Sequence, residues 1–177
     1  MTHSPPDVRA PDHRQSAHRA GVLVLLAATL VILTALGFEY VGGYAPCPLC
    51  LQQRYAYYLA LPLLALALAL IAARRRGPAA LLFTAVALAF LANDVLGVYH
   101  AGAEWQLWRG PESCTGGAPI STNAGNLLSD LATTRVVPCD QPAIRVLGFS
   151  LAAWNALASI ALAAGSAWAA VNSAGRR

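Results

Sequence analysis

The stretch Tyr55–Ala73, YAYYLALPLLALALALIAA, is uncharged throughout and is followed at once by Arg74-Arg75-Arg76. A helix needs about 20 mostly apolar residues to cross a hydrocarbon core of roughly 30 Å. This run has that length, and it ends in the cations that hold a span to its polar boundary. It has no polar residue at every second position, so it does not read as a strand of a membrane barrel. Three further stretches resemble it, at about 20–38, 78–99 and 146–171, and the only charge within them is Asp94, near the end of the third. The chain has 177 residues, 57% of them hydrophobic and 11% charged. Soluble domains carry about 25% charge, so this chain lacks the polar residues to coat a globule. It is also far too apolar to be disordered. The expected fold is an all-α membrane protein, a bundle of four transmembrane helices.

The first stretch could be mistaken for a cleaved leader, because arginines precede it and Gly43-Tyr44-Ala45 loosely resembles a cleavage site. Its apolar run exceeds the 7–15 residues typical of such a signal, and Pro46 would follow the cut directly. It reads as a retained helix. All twelve basic residues are arginine. Arg9, Arg14 and Arg19 precede the first span, Arg74, Arg75 and Arg76 fill the second link, and Arg176 and Arg177 end the chain. Arg54, Arg109, Arg135 and Arg145 lie on the other side. The positive-inside rule then puts both termini in the cytoplasm. Two outward-facing loops remain, at about 39–54 and 100–145; the resemblance described below implies that they are periplasmic. Tyr40, Tyr44, Tyr55, Tyr57, Tyr58 and Tyr99 gather near the outer boundary, as interfacial aromatics do. Residues 1–19 form a disordered basic tail rich in Pro and His, read as an anchor and not as a nucleic-acid arm, and 172–177 form a second cytoplasmic tail. In the long loop, Leu127, Leu128 and Leu131 would share one side of a short helix resting on the membrane.

All four cysteines fall on the outer side, where thiols meet an oxidising compartment. Cys47 and Cys50 form a C-x-x-C, and Cys114 and Cys139 lie in the long loop. Four cysteines allow three pairings. The short spacing favours Cys47–Cys50, which leaves Cys114–Cys139. A zinc site of two close cysteine pairs is not indicated, because no second C-x-x-C exists, and no metal is expected. Structural staples would need nothing special around them, whereas the flanks here are specific. Pro46 and Pro48 suit a helix start, so Cys50 belongs in the first turn, where the positive helix end stabilises a thiolate. Arg54, four residues on and on the same face, would add a cation. Its plainer roles are a boundary arginine or an ion pair with Glu39.

A labile dithiol needs an electron acceptor. The chain has no nucleotide fingerprint and no histidine pair placed for haem, so a lipid-soluble quinone fits best. Asn93, Gly97, His100 and Glu104 would share one face if the third helix continues outward. His100 would then donate a hydrogen bond or proton to a quinone oxygen.

At this point the motifs become specific. Cys47-Pro48-Leu49-Cys50 followed by Arg54, the run Gly97–Trp105, Pro111-Glu112-Ser113-Cys114, Pro138-Cys139-Asp140 and Phe149–Asn155 together resemble the DsbB family of disulfide-bond formation proteins. The likeness spans about residues 20–171. It implies a thiol:quinone oxidoreductase of the bacterial inner membrane that reoxidises a DsbA-like periplasmic thioredoxin-fold oxidase. The implied relay begins with partner attack at Cys114. Cys139 then attacks Cys47, and Cys50 leaves beside ubiquinone or menaquinone. Arg54 and His100 match residues on the quinone side. Gln52-Gln53 stand where some members carry a glutamate, and Pro48 between the cysteines would alter strain. Nothing requires an oligomer, and a monomer is expected. A vitamin K epoxide reductase-like enzyme has the opposite cysteine order. A non-catalytic scaffold or small transporter with structural disulfides, its polar path lined by Asn93, Asp94 and Asn155, would leave Cys50 inert.

Overall fold

The computed structural model describes residues 13–111 and 138–174. Among them four helices are long and apolar enough to cross a membrane: α1 His13–Tyr40, α2 Pro48–Ala72, α3 Arg76–Glu104 and α4 Leu151–Ala174. A two-stranded hairpin, β1 Arg145–Val146 with β2 Phe149–Ser150, precedes α4. Cys114 and the Leu127–Leu131 segment lie outside the described residues.

The bundle turns the usual soluble pattern outward. Leu23, Leu26, Leu30 and Leu33 of α1, Leu81 and Leu88 of α3, and Leu157 of α4 are exposed, while small residues line the contacts. Ala17, Gly21, Val24, Ala28 and Ile32 make the buried stripe of α1, and Ser159, Ser166 and Ser173 recur every seven residues on α4. Small side chains let helix backbones approach closely where lipid supplies no hydrophobic drive between helices. α3 packs most extensively on α4. There a methyl group at Gly97 would stand 3.1 Å from the Ala156 Cβ. α1 packs on α2, α2 on α3, and α4 closes the ring on α1. Hydroxyls that would otherwise be orphaned in lipid bond back to their own helix. Thr29, Thr34, Thr84, Ser166 and Ser173 each donate to the carbonyl four residues earlier.

Four boundaries depart from the expectation. α2 begins at Pro48, not near 55, so the end of the loop expected at 39–54 is helical. α1 starts at His13, not near residue 20, so the last part of the tail expected to be disordered is helical. It is tied down at that end: the Arg14 guanidinium donates to the Ala72 carbonyl at 3.4 Å, and His13 Nδ1 lies 3.2 Å from Asn172 Oδ1. α3 does continue outward, to Glu104. α4 begins at Leu151, later than expected, because the hairpin occupies 145–150. The turn of that hairpin holds Leu147 and Gly148 at φ 52° and 85°, the two positive φ values of a type I′ connection. The Ser150 hydroxyl then accepts the Ala153 N–H at 3.2 Å and caps α4.

Both α2 and α3 close with a left-handed residue that is not glycine, Arg74 and Gln106, each at φ 63°. Arg75 N–H reaches Leu70 O at 2.8 Å, and Leu107 N–H reaches Gly102 O at 2.9 Å, the six-to-one bond of a Schellman end. The second of these ends folds Trp108 back over α3. Its indole N–H donates to the Tyr99 carbonyl at 2.8 Å, and its ring stacks on Tyr99. A methyl at Gly102 would fall 2.0 Å from the Trp108 ring, so glycine is needed there for close approach.

Candidate functional site: a buried dithiol at one end of the bundle

α2 begins at the dithiol. Cys47 is its N-cap residue, with extended backbone, and Pro48 takes the first helical position, where the missing N–H costs nothing. The Cys47 sulfur accepts the Cys50 backbone N–H at 3.2 Å. One of the four orphan donors at the helix start is thereby satisfied by a sulfur. Cys50 lies in the first turn of α2, 2.7 Å from Cys47 between sulfurs.

Both thiols are free. The Cys47–Cys50 bond expected from the spacing is therefore not closed here, since an S–S bond is about 2.05 Å long. The helix start also acts on a different sulfur from the one expected. The thiol hydrogen bond from Cys50 holds the Cys47 thiol below its ordinary value; burial opposes this, and His100 and the Cys50 backbone N–H reinforce it. Cys47, as the cap, is the sulfur made easier to ionise, chiefly by the Cys50 thiol and further by His100 and the Cys50 backbone N–H.

α3 supplies the second wall. Asn93, Gly97, His100 and Glu104 are all buried along α3, as their spacing predicts. His100 Nε2 stands 3.6 Å from the Cys47 sulfur. Its Nδ1 receives the Gln53 side-chain N–H at 2.9 Å. Gln53 Oε1 in turn accepts from Asn155 Nδ2 at 2.7 Å, and Asn155 Oδ1 accepts the Tyr57 hydroxyl at 2.7 Å. Each bond fixes the direction of the next. With the Tyr57 hydroxyl donating to Asn155 Oδ1, Asn155 presents its NH2 to Gln53. Gln53 then presents its NH2 to His100, which leaves the imidazole proton on Nε2, facing sulfur. A level deeper, Asn93 Nδ2 donates to Ser159 Oγ at 2.9 Å. Glu104 Oε1 lies 3.8 Å from His100 Nε2, while its Oε2 is buried with no hydrogen-bond partner.

Two expected roles change. Tyr57, grouped above with the interfacial aromatics, is only 2% exposed. It sits inside the bundle, edge-on to Phe90 and bonded to α4. Arg54 does not direct its charge at a thiolate, because its guanidinium pairs with Glu39 at the end of α1, the plainer of the readings the sequence offered. It still lines the same cavity as the dithiol. That cavity is about 350 Å³ in volume. Leu30, Val31 and Phe38 of α1 form its apolar wall, and Cys47, Cys50, Gln53, Arg54, His100 and Asn155 converge on it. Gln53 was not singled out for the site by the sequence, and Asn155 stood only in a family-like stretch and among residues of a polar path. The one available signal was the Leu49-Gln53-Tyr57 spacing, which puts a glutamine on the stripe that α2 buries.

Cys139 is disulfide-bonded and 1% exposed. It packs in one small cluster with Cys47 and Leu49, against which Cys50 and Leu96 also rest. Its expected partner, Cys114, lies outside the described residues.

Four lipid-facing helices enclosing a dithiol at one end define a membrane protein of thiol chemistry. Comparison with known proteins narrows this. The family described as "Disulfide bond formation protein DsbB" matches residues 17–169. A protein of Cupriavidus necator named Disulfide bond formation protein B is 29% identical over 143 residues, covering 76% of this chain and 80% of its own length. Its namesake in Cupriavidus pinatubonensis is 32% identical over 130 residues, covering 68% and 72%. An uncharacterized protein of Rickettsia prowazekii is 27% identical over 143 residues, covering 79% and 80%. No solved structure gives a significant match. The chain belongs to the DsbB family and is a membrane protein of disulfide formation.

Proposed function

We propose that the chain is a thiol:quinone oxidoreductase that reoxidises the dithiol of a DsbA-like periplasmic partner. The observation that carries this reading is the placement of the cysteines. Cys47 and Cys50 stand on the wall of a largely apolar cavity, and Cys139 packs in one cluster with Cys47. A staple would need neither the cavity nor a third cysteine packed against the first pair.

The relay runs through named sulfurs. The partner thiolate attacks a Cys114–Cys139 disulfide at Cys114, and Cys139 leaves. Resolution by the partner's second thiol gives the oxidised partner, with Cys114 and Cys139 reduced. Cys139 then attacks Cys47 of a Cys47–Cys50 disulfide, Cys50 leaves as thiolate, and Cys114 resolves the mixed disulfide. Cys47 and Cys50 now hold two electrons and two protons more than their disulfide. A quinone, ubiquinone or menaquinone, supplies the acceptor for both pairs when bound and leaves as quinol.

The residues around the cavity fit such a head group. Apolar α1 side chains exclude water, the His100 Nε2 proton faces the sulfur side, and Arg54, neutralised by Glu39, offers its remaining N–H donors at the rim. We place the dithiol end in the periplasm and the bacterial inner membrane around the bundle. Arg14, Arg74, Arg75 and Arg76 at the opposite end support that orientation. The chain is proposed to act as a monomer.

The test uses purified protein in detergent with a reduced thioredoxin-fold partner and a quinone. Quinol formation, followed optically, is expected in the parent and absent in Cys50→Ser. Unchanged turnover in that variant refutes the relay.

A further inference from the structure

The sequence argued against a metal because it lacks a second close cysteine pair. The fold supplies other ligands. Cys47 Sγ, Cys50 Sγ and His100 Nε2 all lie within 4.8 Å of one another. A tetrahedral zinc ion with Zn–S of about 2.3 Å and Zn–N of about 2.0 Å sets S···N near ~3.5 Å and S···S near ~3.8 Å. The Cys47–His100 separation is already 3.6 Å. The sulfurs, at 2.7 Å, need to part by about 1 Å to reach that spacing.

Glu104 is the independent observation. Its side chain is 6% exposed, and its Oε2 has no partner. Its other oxygen faces His100 Nε2 at 3.8 Å, close to the roughly 3.3 Å N···O edge of a zinc tetrahedron. Glu104 stands outside that close group of three ligand atoms and also meets the Ser150 hydroxyl, but its Oε2 is a buried, unsatisfied acceptor next to His100 that a cation held there would satisfy. The outer support is also present. Metal-binding histidines use their second nitrogen to hold a partner, and His100 Nδ1 already meets Gln53. Ligation at Nε2 requires the proton on Nδ1. The Gln53 and Asn155 amides can turn over together, so that His100 donates to Gln53, Gln53 to Asn155 and Asn155 to Tyr57. Every bond in the chain survives with its direction reversed.

We infer that the reduced dithiol and His100, with the Glu104 carboxylate beside the imidazole, form a binding site for one soft divalent cation of the zinc type. Binding releases the two thiol protons and moves no electrons. It requires both sulfurs as thiolates, so the Cys47–Cys50 disulfide cannot bind. A bound ion holds the pair apart and stops it from closing, which makes the reduced centre sensitive to soft metals. This goes beyond the quinone reading and does not depend on it, because the test uses neither quinone nor partner.

The experiment uses the full-length Cys114→Ser/Cys139→Ser chain in detergent, in which Cys47 and Cys50 are the only thiols. After reduction and removal of reductant, Co²⁺ is added as an optical probe, and Zn²⁺ affinity is measured against a chromophoric chelator. The expected result is one ion per chain, with strong tetrahedral d–d bands and a sulfur-to-cobalt charge-transfer band. All of these should vanish once the thiols are oxidised to the disulfide. His100→Ala should weaken Zn²⁺ by about tenfold or more, and Glu104→Gln by a smaller factor. Affinity unchanged in His100→Ala overturns the site. If that variant fails to fold, the parent alone decides: weak octahedral cobalt bands, or bands that persist after oxidation, also overturn it.

Discussion

Gln53→Leu removes the centre of the chain that runs from Tyr57 to His100 while keeping a side chain of similar size. Two bonds are lost, the 2.9 Å bond to His100 Nδ1 and the 2.7 Å bond from Asn155 Nδ2. Interhelical hydrogen bonds in membrane proteins average about 0.6 kcal/mol and reach about 1.7 kcal/mol, so the two together should cost roughly 1–3 kcal/mol of unfolding free energy. The chemical effect follows from the imidazole. A net hydrogen bond of about 0.5–1.5 kcal/mol biases the His100 tautomer by a factor of about 2–12. Quinol formation should therefore slow by about that factor, with partner binding intact. The sharpest readout is a double-mutant cycle with Asn155→Leu, scored by unfolding in mixed micelles. The Gln53–Asn155 bond is shared by both single variants, so the cycle should show a coupling of about 0.6–1.7 kcal/mol. Strict additivity, together with unchanged turnover in Gln53→Leu, would refute the idea that these residues act through one another on His100.

Three further outcomes are expected. Arg54→Ala should raise the apparent KM for quinone and leave partner binding intact, because its charge is held at the cavity rim by Glu39; an unchanged KM returns it to a boundary role. Gly97→Leu should destabilise the bundle by about 1–3 kcal/mol or more through overpacking against Ala156, seen as a lowered Tm. The Cys47 thiol is held below its ordinary value, so its thiolate persists as pH falls through the range where an ordinary thiol, near 8.5, protonates. Site-resolved alkylation of Cys47 should then change little between pH 7 and pH 9, where an ordinary thiol would gain on the order of tenfold or more. A gain of that size at Cys47 would contradict the hydrogen bond from the Cys50 thiol.

The four spans were legible because lipid imposes a length and a composition that little else produces. The α3 face was legible for a related reason: Asn93, Gly97, His100 and Glu104 follow helical spacing, and α3 runs on to Glu104. What escaped depends on contacts between distant parts of the chain. Gln53 and Asn155 are far apart in sequence, and only the ring of helices brings them to 2.7 Å. Tyr57 near a boundary suits either a headgroup layer or a buried bond, and only the partner on α4 decides between them. Arg54 and Glu39 sit at ends of neighbouring helices, so the loss of the arginine's charge to the glutamate could be named from sequence but not chosen. Which sulfur the helix start favours turned on a single boundary: Cys47 caps α2, and Cys50 follows within it.

The chain Tyr57–Asn155–Gln53–His100 joins three helices, and α4, which carries Asn155, is the last of them to be translated. Until it inserts, the dithiol faces a histidine whose orienting glutamine has no anchor of its own. A nascent chain thus carries both cysteines well before it carries the means to orient His100 beside them. Full reactivity is delayed until the bundle is complete, which limits the time in which an unfinished chain can trade disulfides with whatever thiols are nearby.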